Sequence, residues 1–249
     1  MIIATIIYIT LSTLVLILAS RISVRSAAAE ARAIESISAF VTDGAGDVTA
    51  LRKGIAQHNF VQCVAFVADR VDDQAYNPLR IIVKYYHIEN YLLSKATKSR
   101  NSTNRAYALA LLARLPISIV TEVKVERFLT DSSAEVRFYA LMCIFSATPH
   151  RAIICLESLE HRLSRRDVAE ILTVISRGYC PIAYTPLLTS DNYNLQLLGI
   201  HLVRRFGITE SRAHITSIVR NENSELREDA LETLARFGER ERFCKYHII

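Results

Sequence analysis

The chain is poor in residues that interrupt helices. It has only 7 glycines and 5 prolines among 249 residues, whereas hydrophobic residues make up 51% of the sequence. Few helix breakers and a large apolar fraction predict a mainly helical protein with a sizeable core. The formal net charge of +5 is modest, and part of it comes from arginines near the N-terminus, so it is poor evidence for a nucleic-acid partner.

The sequence also lacks the usual patterns of metal sites and disulfide frameworks. Its five cysteines form an odd set without a CxxC pair, and its seven histidines are scattered. Both observations argue against a zinc site and against a set of disulfides, and they agree with a reducing compartment. The cysteines are Cys63, Cys143, Cys155, Cys180 and Cys244.

Catalytic motifs are missing as well. The sequence has no HExxH, no Walker or dinucleotide-binding loop, no Ser/His/Asp or Cys/His signature and no tryptophan. Carboxylate pairs such as Asp72-Asp73 lie in stretches of mixed charge, where a solvated surface is the ordinary interpretation. We therefore predict that the protein is not an enzyme and uses no metal, cofactor or small-molecule substrate.

One long apolar run is present at the N-terminus. Residues Ile2 to Ala19 carry no charged side chain, and Arg21, Arg25 and Arg32 follow them. About 18 to 20 helical residues, at roughly 1.5 Å each, cross a hydrocarbon core of about 30 Å, so residues 1–20 are predicted to form a transmembrane helix. Arginines beside a span stay preferentially in the cytoplasm, which predicts a single-pass cell-membrane protein with its N-terminus outside and the rest of the chain cytoplasmic.

A cleaved secretory signal is the alternative interpretation of this run, because Ala27, Ala28 and Ala29 could supply the cleavage site. A signal peptide usually has a basic region before an apolar core of about 7 to 15 residues. Here the run is longer, and nothing before it is basic except the α-amino group. Under this alternative the protein would be an exported, envelope-facing binding module.

Residues 21–46 are predicted to form a juxtamembrane helix and a linker. The segment Asp43–Asp47 contains two glycines between aspartates, a composition that favours a turn, and Asp47 is suited to cap the next helix. A phosphate-binding loop is the alternative, but no Lys-Ser/Thr pair follows and no strand precedes the glycines. The apolar residues before the turn have helical spacing, and they are Ala27, Ala31, Ile34, Ile37 or Ser38, and Val41.

One motif recurs in the remainder of the chain: a polar turn followed by Val-Arg-x-x-Ala-Leu-x-x-Leu. Neighbouring copies lie roughly 32 positions apart, and one gap of about twice that length holds a diverged unit around Val168–Val174. The clearest copy is Asp131 to Ile144, and the other copies begin at Asn104-Arg105, Leu195-Gln196 and Leu226-Arg227.

This pattern resembles the HEAT repeat family, especially the short bacterial type also called the PBS-lyase HEAT-like repeat, over roughly Ser94 to Glu239. The resemblance implies an all-α fold in which helical hairpins stack into an α-solenoid, residues 47–249, preceded by the one transmembrane helix. The stretch from Val48 to Leu93 fits the motif poorly and is interpreted as helices that cap the array.

The resemblance also implies the role of individual positions. Second helices are expected at Arg151–Leu159 and Ser211–Val219. Small residues on the first helices are expected to allow close helix packing, and they are Ala140, Gly199 and Ala230. In the family the aspartate of the turn and the arginine after the valine pair along the stack, so structural roles are expected for Asp131, Arg137 and Arg227.

A solenoid presents a long surface suited to proteins or extended peptides. The function implied is therefore a membrane-anchored adaptor or scaffold for a protein partner of unknown identity, attached to a membrane enzyme or transport complex. A HEAT-like DNA glycosylase or lyase-type enzyme is a remote alternative, because a membrane anchor makes work on nucleic acid awkward.

Two surfaces are candidates for partner binding. Arginines cluster at Arg162, Arg165 and Arg166 and, about one repeat later, at Arg204-Arg205. Stacking would join them into a basic patch for an acidic segment of a partner or for lipid, and a solvated helix face is the alternative. The second candidate is the aromatic stretch from Lys84 to Tyr91, for which packing against a neighbouring helix is the ordinary interpretation.

Overall fold

The computed structural model describes residues 26–44, 46–71, 76–159, 161–176 and 183–247. Within these ranges the chain forms α-helices, short 3-10 helices and loops, and it contains no strand. The prediction of an all-α protein is confirmed.

The predicted membrane span, Ile2 to Ala19, lies outside the described residues, as do Arg21 and Arg25. Of the helices that the structure describes, none combines the length and the apolar character needed to cross a bilayer.

The chain divides into two compact units. The first contains the described residues up to Tyr91 together with Arg114–Pro116. Its helices are α1 (26–43), a 3-10 helix (Val48–Ala50), α2 (Gln57–Ala68), α3 (Tyr76–Tyr85) and the beginning of α4 (Ile88–Lys98).

The helix predicted before the Asp43–Asp47 turn is present as α1, but its buried face differs from the predicted one. Ile37 and Val41 are buried as expected, whereas Ala27 and Ala31 are exposed and Ala33 is buried instead. Positions 33, 37 and 41 are each four residues apart, so they lie along one side of an α-helix.

The turn predicted after α1 is also present. Gly44 and Gly46 have φ angles of 64° and 107°, a left-handed backbone that favours glycine. The carboxylate of Asp47 accepts a hydrogen bond of 2.8 Å from the backbone N of Thr49 and caps the 3-10 helix. Sequence alone therefore located both the end of α1 and the cap that follows it.

Tyr86, in the aromatic stretch, packs inside the first unit. Its hydroxyl donates to the carbonyl of Val48 at 2.6 Å and accepts from the backbone N of Arg52 at 3.2 Å. The ring centroid lies 4.6 Å from that of Phe60, and burial raises the pKa of the Tyr86 phenol. Tyr85, by contrast, remains exposed.

The second unit contains α4 from Leu92 onward and the helices after it, apart from Arg114–Pro116. They are α5 (Ser102–Leu112), α6 (Ile119–Val125), α7 (Ala134–Ala147), α8 (Pro149–Glu157), α9 (Arg165–Ile175), α10 (Tyr184–Leu188), α11 (Tyr193–Phe206), α12 (Arg212–Arg220) and α13 (Arg227–His247). Two 3-10 helices, Glu126–Thr130 and Thr209–Ser211, precede α7 and α12.

The recurring motif falls on alternate helices of this unit. Its copies lie on α5, α7, α11 and α13, and the diverged copy lies on α9; we call these the motif helices, and α6, α8, α10 and α12 the intervening helices. Successive motif helices contact one another in chain order. The predicted second helices are present as α8 and α12. Contacts confined mainly to neighbouring units are typical of repeated helical hairpins.

Helix α7 lies in the middle of these contacts. It packs against α5, α6, α8 and α9, and Val136, Leu141 and Ile144 on it are fully buried. Because neighbours surround α7, its apolar residues are not confined to one stripe, which is the pattern of an interior helix.

Small residues allow the close approaches that the motif predicts. Ala140 and Ala230 are completely buried. A Cβ atom at Gly199 would lie 2.9 Å from Cβ of Leu187 and 3.1 Å from the backbone N of Leu188. Helix α11 therefore approaches α10 more closely than any side chain at position 199 permits.

Gly199→Ala should lower the free energy of unfolding, because overpacking of about 1–3 kcal/mol outweighs the roughly 1 kcal/mol that alanine gains over glycine in a helix. Gly238→Ala is the matched control, since a Cβ there would meet no atom within 4 Å; this variant should be neutral or more stable. Denaturant unfolding of the full chain in detergent compares the two. Equal stability of the two variants would contradict the close approach.

Candidate partner-binding groove

In three copies of the motif, the side chain at its second position contacts the segment just before its own helix. Arg105 and Arg137 donate to backbone carbonyls five and six residues upstream, at 3.0 and 2.7 Å. In the copy without arginine, Gln196 donates at 3.2 Å to a carbonyl eight residues upstream. In three copies, the side chain at the same motif position therefore donates a hydrogen bond to a backbone carbonyl before the motif helix, although the residue type changes.

Asp131 connects two successive motif helices. Its carboxylate accepts from Nη2 and Nε of Arg105 at 2.8 and 3.0 Å, and both side chains are largely buried. This guanidinium holds the pKa of Asp131 below its usual range. The expected structural role of Asp131 is observed. Arg137 contacts loop carbonyls instead of a carboxylate, and Arg227 is exposed, with no ion pair in the described part of the chain.

Three of the five arginines predicted to form a basic patch are paired with carboxylates at the beginning of α13 or just before it. The pairs are Arg162–Glu225, Arg165–Glu228 at 3.2 Å, Arg165–Asp229 at 2.9 Å and Arg204–Glu232 at 2.6 Å. The side chain of Arg166 is 86% exposed, and its Nε lies 3.6 Å from Oε1 of Glu170 on the same helix. Arg205 is also exposed. Arg165 and Arg204 thus both reach the first turns of α13, and the charges of Arg162, Arg165 and Arg204 are neutralised within the chain.

A buried imidazole lies at the centre of these ion pairs. Nε2 of His201 is 3.1 Å from Oδ1 of Asp229, and Nη2 of Arg204 is 2.7 Å from Nδ1. Because the guanidinium can only donate, Nδ1 accepts and Nε2 carries the proton. Burial and the charge of Arg204 lower the pKa of His201 in spite of Asp229, so the ring is neutral at pH 7.

A groove of about 320 Å³ lies between the first turns of α7 and α9. One wall carries Phe138 and Tyr139, whose ring centroids are 5.3 Å apart in an edge-to-face arrangement. Across from them lie His161, in the loop before α9, and the exposed Arg166. Arg166 is thus the one predicted patch residue that lines this groove.

His161 contributes a neutral polar group to the groove. Its Nδ1 is buried and has no hydrogen-bond partner among the described residues. Burial, followed by the charge of Arg137, lowers the pKa of His161, and Asp167 opposes this shift only partly. Its position depends on Asn194 of α11, whose amide donates to the carbonyl of His161 at 3.0 Å.

The groove carries more negative than positive charge. Glu135, Asp167 and Glu170 line it, against the single guanidinium of Arg166. Sequence reasoning did not single out these carboxylates or the aromatic wall, because they are spread over two helices and belong to no recognisable motif.

Comparison with protein-family models, with curated proteins and with solved structures finds no match to this chain. The resemblance to HEAT repeats therefore rests on the sequence motif alone.

Arg165→Gln should lower the free energy of unfolding by about 1–2 kcal/mol, because it removes a charged hydrogen-bond partner from the buried carboxylate of Asp229. Arg166→Gln removes the same charge from the adjacent position and should cost less than about 0.5 kcal/mol, since that side chain is exposed. Denaturant unfolding of both variants measures the difference. Similar losses would show that pairing with α13 adds nothing to stability.

Acid should destabilise the protein as the pH falls below about 6.5, the pKa of histidine in the unfolded chain. The pKa of His201 is lowered in the folded state, so the unfolded chain binds a proton at a higher pH than the folded protein does. The stability that is fully present above the unfolded-state pKa is therefore lost as the pH falls. His201→Gln should flatten this dependence in denaturant unfolding. His161 shifts in the same direction, and a His161→Gln variant accounts for the remaining slope. An unchanged slope in both variants would contradict the assignment.

Proposed function

We propose that the protein is a membrane-anchored, HEAT-like helical-repeat adaptor that binds a protein partner in the groove between α7 and α9. The apolar run Ile2–Ala19 acts as a single-pass anchor, and the repeat-bearing part lies in the cytoplasm. The partner is a component of a membrane enzyme or transport complex.

The solenoid assignment is supported by the order of helix contacts. Motif helices α5, α7, α9, α11 and α13 contact one another in chain order, and the second position of the motif donates to a carbonyl before the motif helix in three copies. Stacked units of this kind leave a long surface on which loops and first turns of successive units are exposed. The groove lies between two such first turns.

A cytoplasmic location is supported by the cysteines. Cys63 and Cys143 are free thiols in the core, and burial raises the pKa of the Cys143 thiol, so it stays protonated and unreactive. Free buried thiols agree with a reducing compartment, as does the position of the arginines after the apolar run.

The groove itself is the observation that carries the binding proposal. Aromatic residues and arginine are enriched at protein interfaces, and here Phe138, Tyr139 and Arg166 meet in a concavity. Its carboxylates outnumber its guanidinium, and aromatic rings attract cations. The groove therefore suits a lysine or arginine side chain of the partner. This differs from the acidic partner that the arginine cluster predicts, because α13 neutralises most of that cluster.

A photo-crosslinking amino acid at position 139 tests the proposal in intact cells. We expect a discrete crosslinked species at position 139 that is absent when the same amino acid replaces Tyr107, an exposed tyrosine on the preceding motif helix. Glu135→Lys with Glu170→Lys should reduce the crosslink several-fold, because it reverses the charge that attracts a basic side chain.

Mass spectrometry of the crosslinked species identifies the partner and its compartment, which separates the cytoplasmic protein from the exported alternative. Equal crosslinking at positions 139 and 107, or no effect of the two lysine substitutions, would refute the groove as the binding site.

A further inference from the structure

Two neighbouring intervening helices expose aliphatic side chains that lie outside the groove. Ile119, Val120 and Val123 on α6 are 72%, 65% and 53% exposed, and Ile154 on α8 is 68% exposed. Branched aliphatic residues are ordinarily buried, and an exposed group of them marks an interaction surface. We call these four residues the aliphatic face.

A buried polar contact fixes α6 against α8 beside this face. The carboxylate of Glu122, which is 1% exposed, accepts from Thr148 Oγ1 at 2.8 Å and lies 3.4 Å from Nη1 of Arg151. Ile119 precedes Glu122 by three residues, and Ile154 follows Arg151 by three. Residues three apart share a side of a helix, so Ile119 on α6 and Ile154 on α8 flank this contact.

On α6 and on the 3-10 helix after it, the charges exposed beside the aliphatic face are cationic, whereas α8 also exposes Glu157 three residues after Ile154. Lys124 and Arg127 are exposed on α6 and on the 3-10 helix that follows it. The carboxylates of residues 119–130 do not offset this positive charge, because Glu122 is buried and Glu126 is paired with Arg151. Exposed aliphatic side chains beside lysine and arginine are the chemistry that binds anionic lipid surfaces.

We propose that the aliphatic face rests on the anionic headgroup region of the membrane that holds the anchor. A few aliphatic side chains and two cations bind a bilayer only weakly by themselves, but a tether raises the effective lipid concentration. This contact would orient the repeat-bearing unit at the membrane surface. The inference rests on the anchoring part of the proposed function and not on the groove.

The test uses the full chain reconstituted into phosphatidylcholine vesicles with and without phosphatidylglycerol. An environment-sensitive fluorescent amino acid replaces Val120, Ile154 or, as the matched control, the exposed Ser217 of α12. At positions 120 and 154 we expect blue-shifted emission that lipids with brominated acyl chains quench, and at position 217 water-like emission. Quenching should increase with phosphatidylglycerol and fall by about half in Lys124→Glu, Arg127→Glu protein.

Each other outcome overturns the inference in a distinguishable way. Protein that floats with the vesicles but shows water-like emission at positions 120 and 154 is anchored without lipid contact at this face. Blue-shifted emission that brominated lipids do not quench means that protein, such as a second copy of the chain, covers the face. Protein that does not float with the vesicles has no membrane anchor, and the proposed lipid contact is then overturned. The groove is not affected by that outcome, because crosslinking at position 139 tests it separately.

Discussion

Packing of the motif helices in the second unit depends on hydrogen bonds to the backbone of the loops that precede them. A loop that is packed between helices exposes few of its carbonyls to water, and an unpaired buried carbonyl costs about as much as a lost hydrogen bond. In three copies of the motif, a side chain at the start of the motif helix supplies the missing donors. Asp131 adds a connection to the preceding motif helix through Arg105. In these three copies, the motif thus supplies hydrogen-bond donors to backbone carbonyls that would otherwise be unpaired.

The same logic explains the charged residues at the C-terminal end of the described chain. Helix α13 is the last motif helix among the described residues, and its early turns carry carboxylates that pair with arginines of α9 and α11. Asp229 is buried among them and is compensated by Arg165 and His201. A buried carboxylate with such partners fixes helix position more than it adds stability.

Much of the fold could be predicted from the sequence because its signals are local and repeated. Helix α1, the turn after it, the motif helices and the intervening helices α8 and α12 all lie close to their predicted places. The buried face of α1 was wrong at Ala27 and Ala31, since alanine carries little information about burial. The partners of the arginines were not predicted because they lie about two repeats downstream of Arg162 and Arg165 and about one repeat downstream of Arg204. Acidic residues at helical spacing from position 225 to 232 were a usable signal, and periodicity alone did not connect them to α9.

The candidate site illustrates why charge counted along a sequence misleads about recognition. Five arginines within two adjacent repeats predict a basic surface, yet pairing with α13 removes most of that charge, and the groove beside Arg166 is lined by an excess of carboxylates. The exposed positive charge of Lys124 and Arg127 lies instead beside aliphatic side chains on α6. Because only solvent-exposed, unpaired charges are available to a partner, the partners proposed for the two surfaces differ: a basic side chain at the groove and anionic headgroups at the aliphatic face. An adaptor that holds a partner at a membrane needs this division, since a single charged surface serving both would bring lipid and protein into competition.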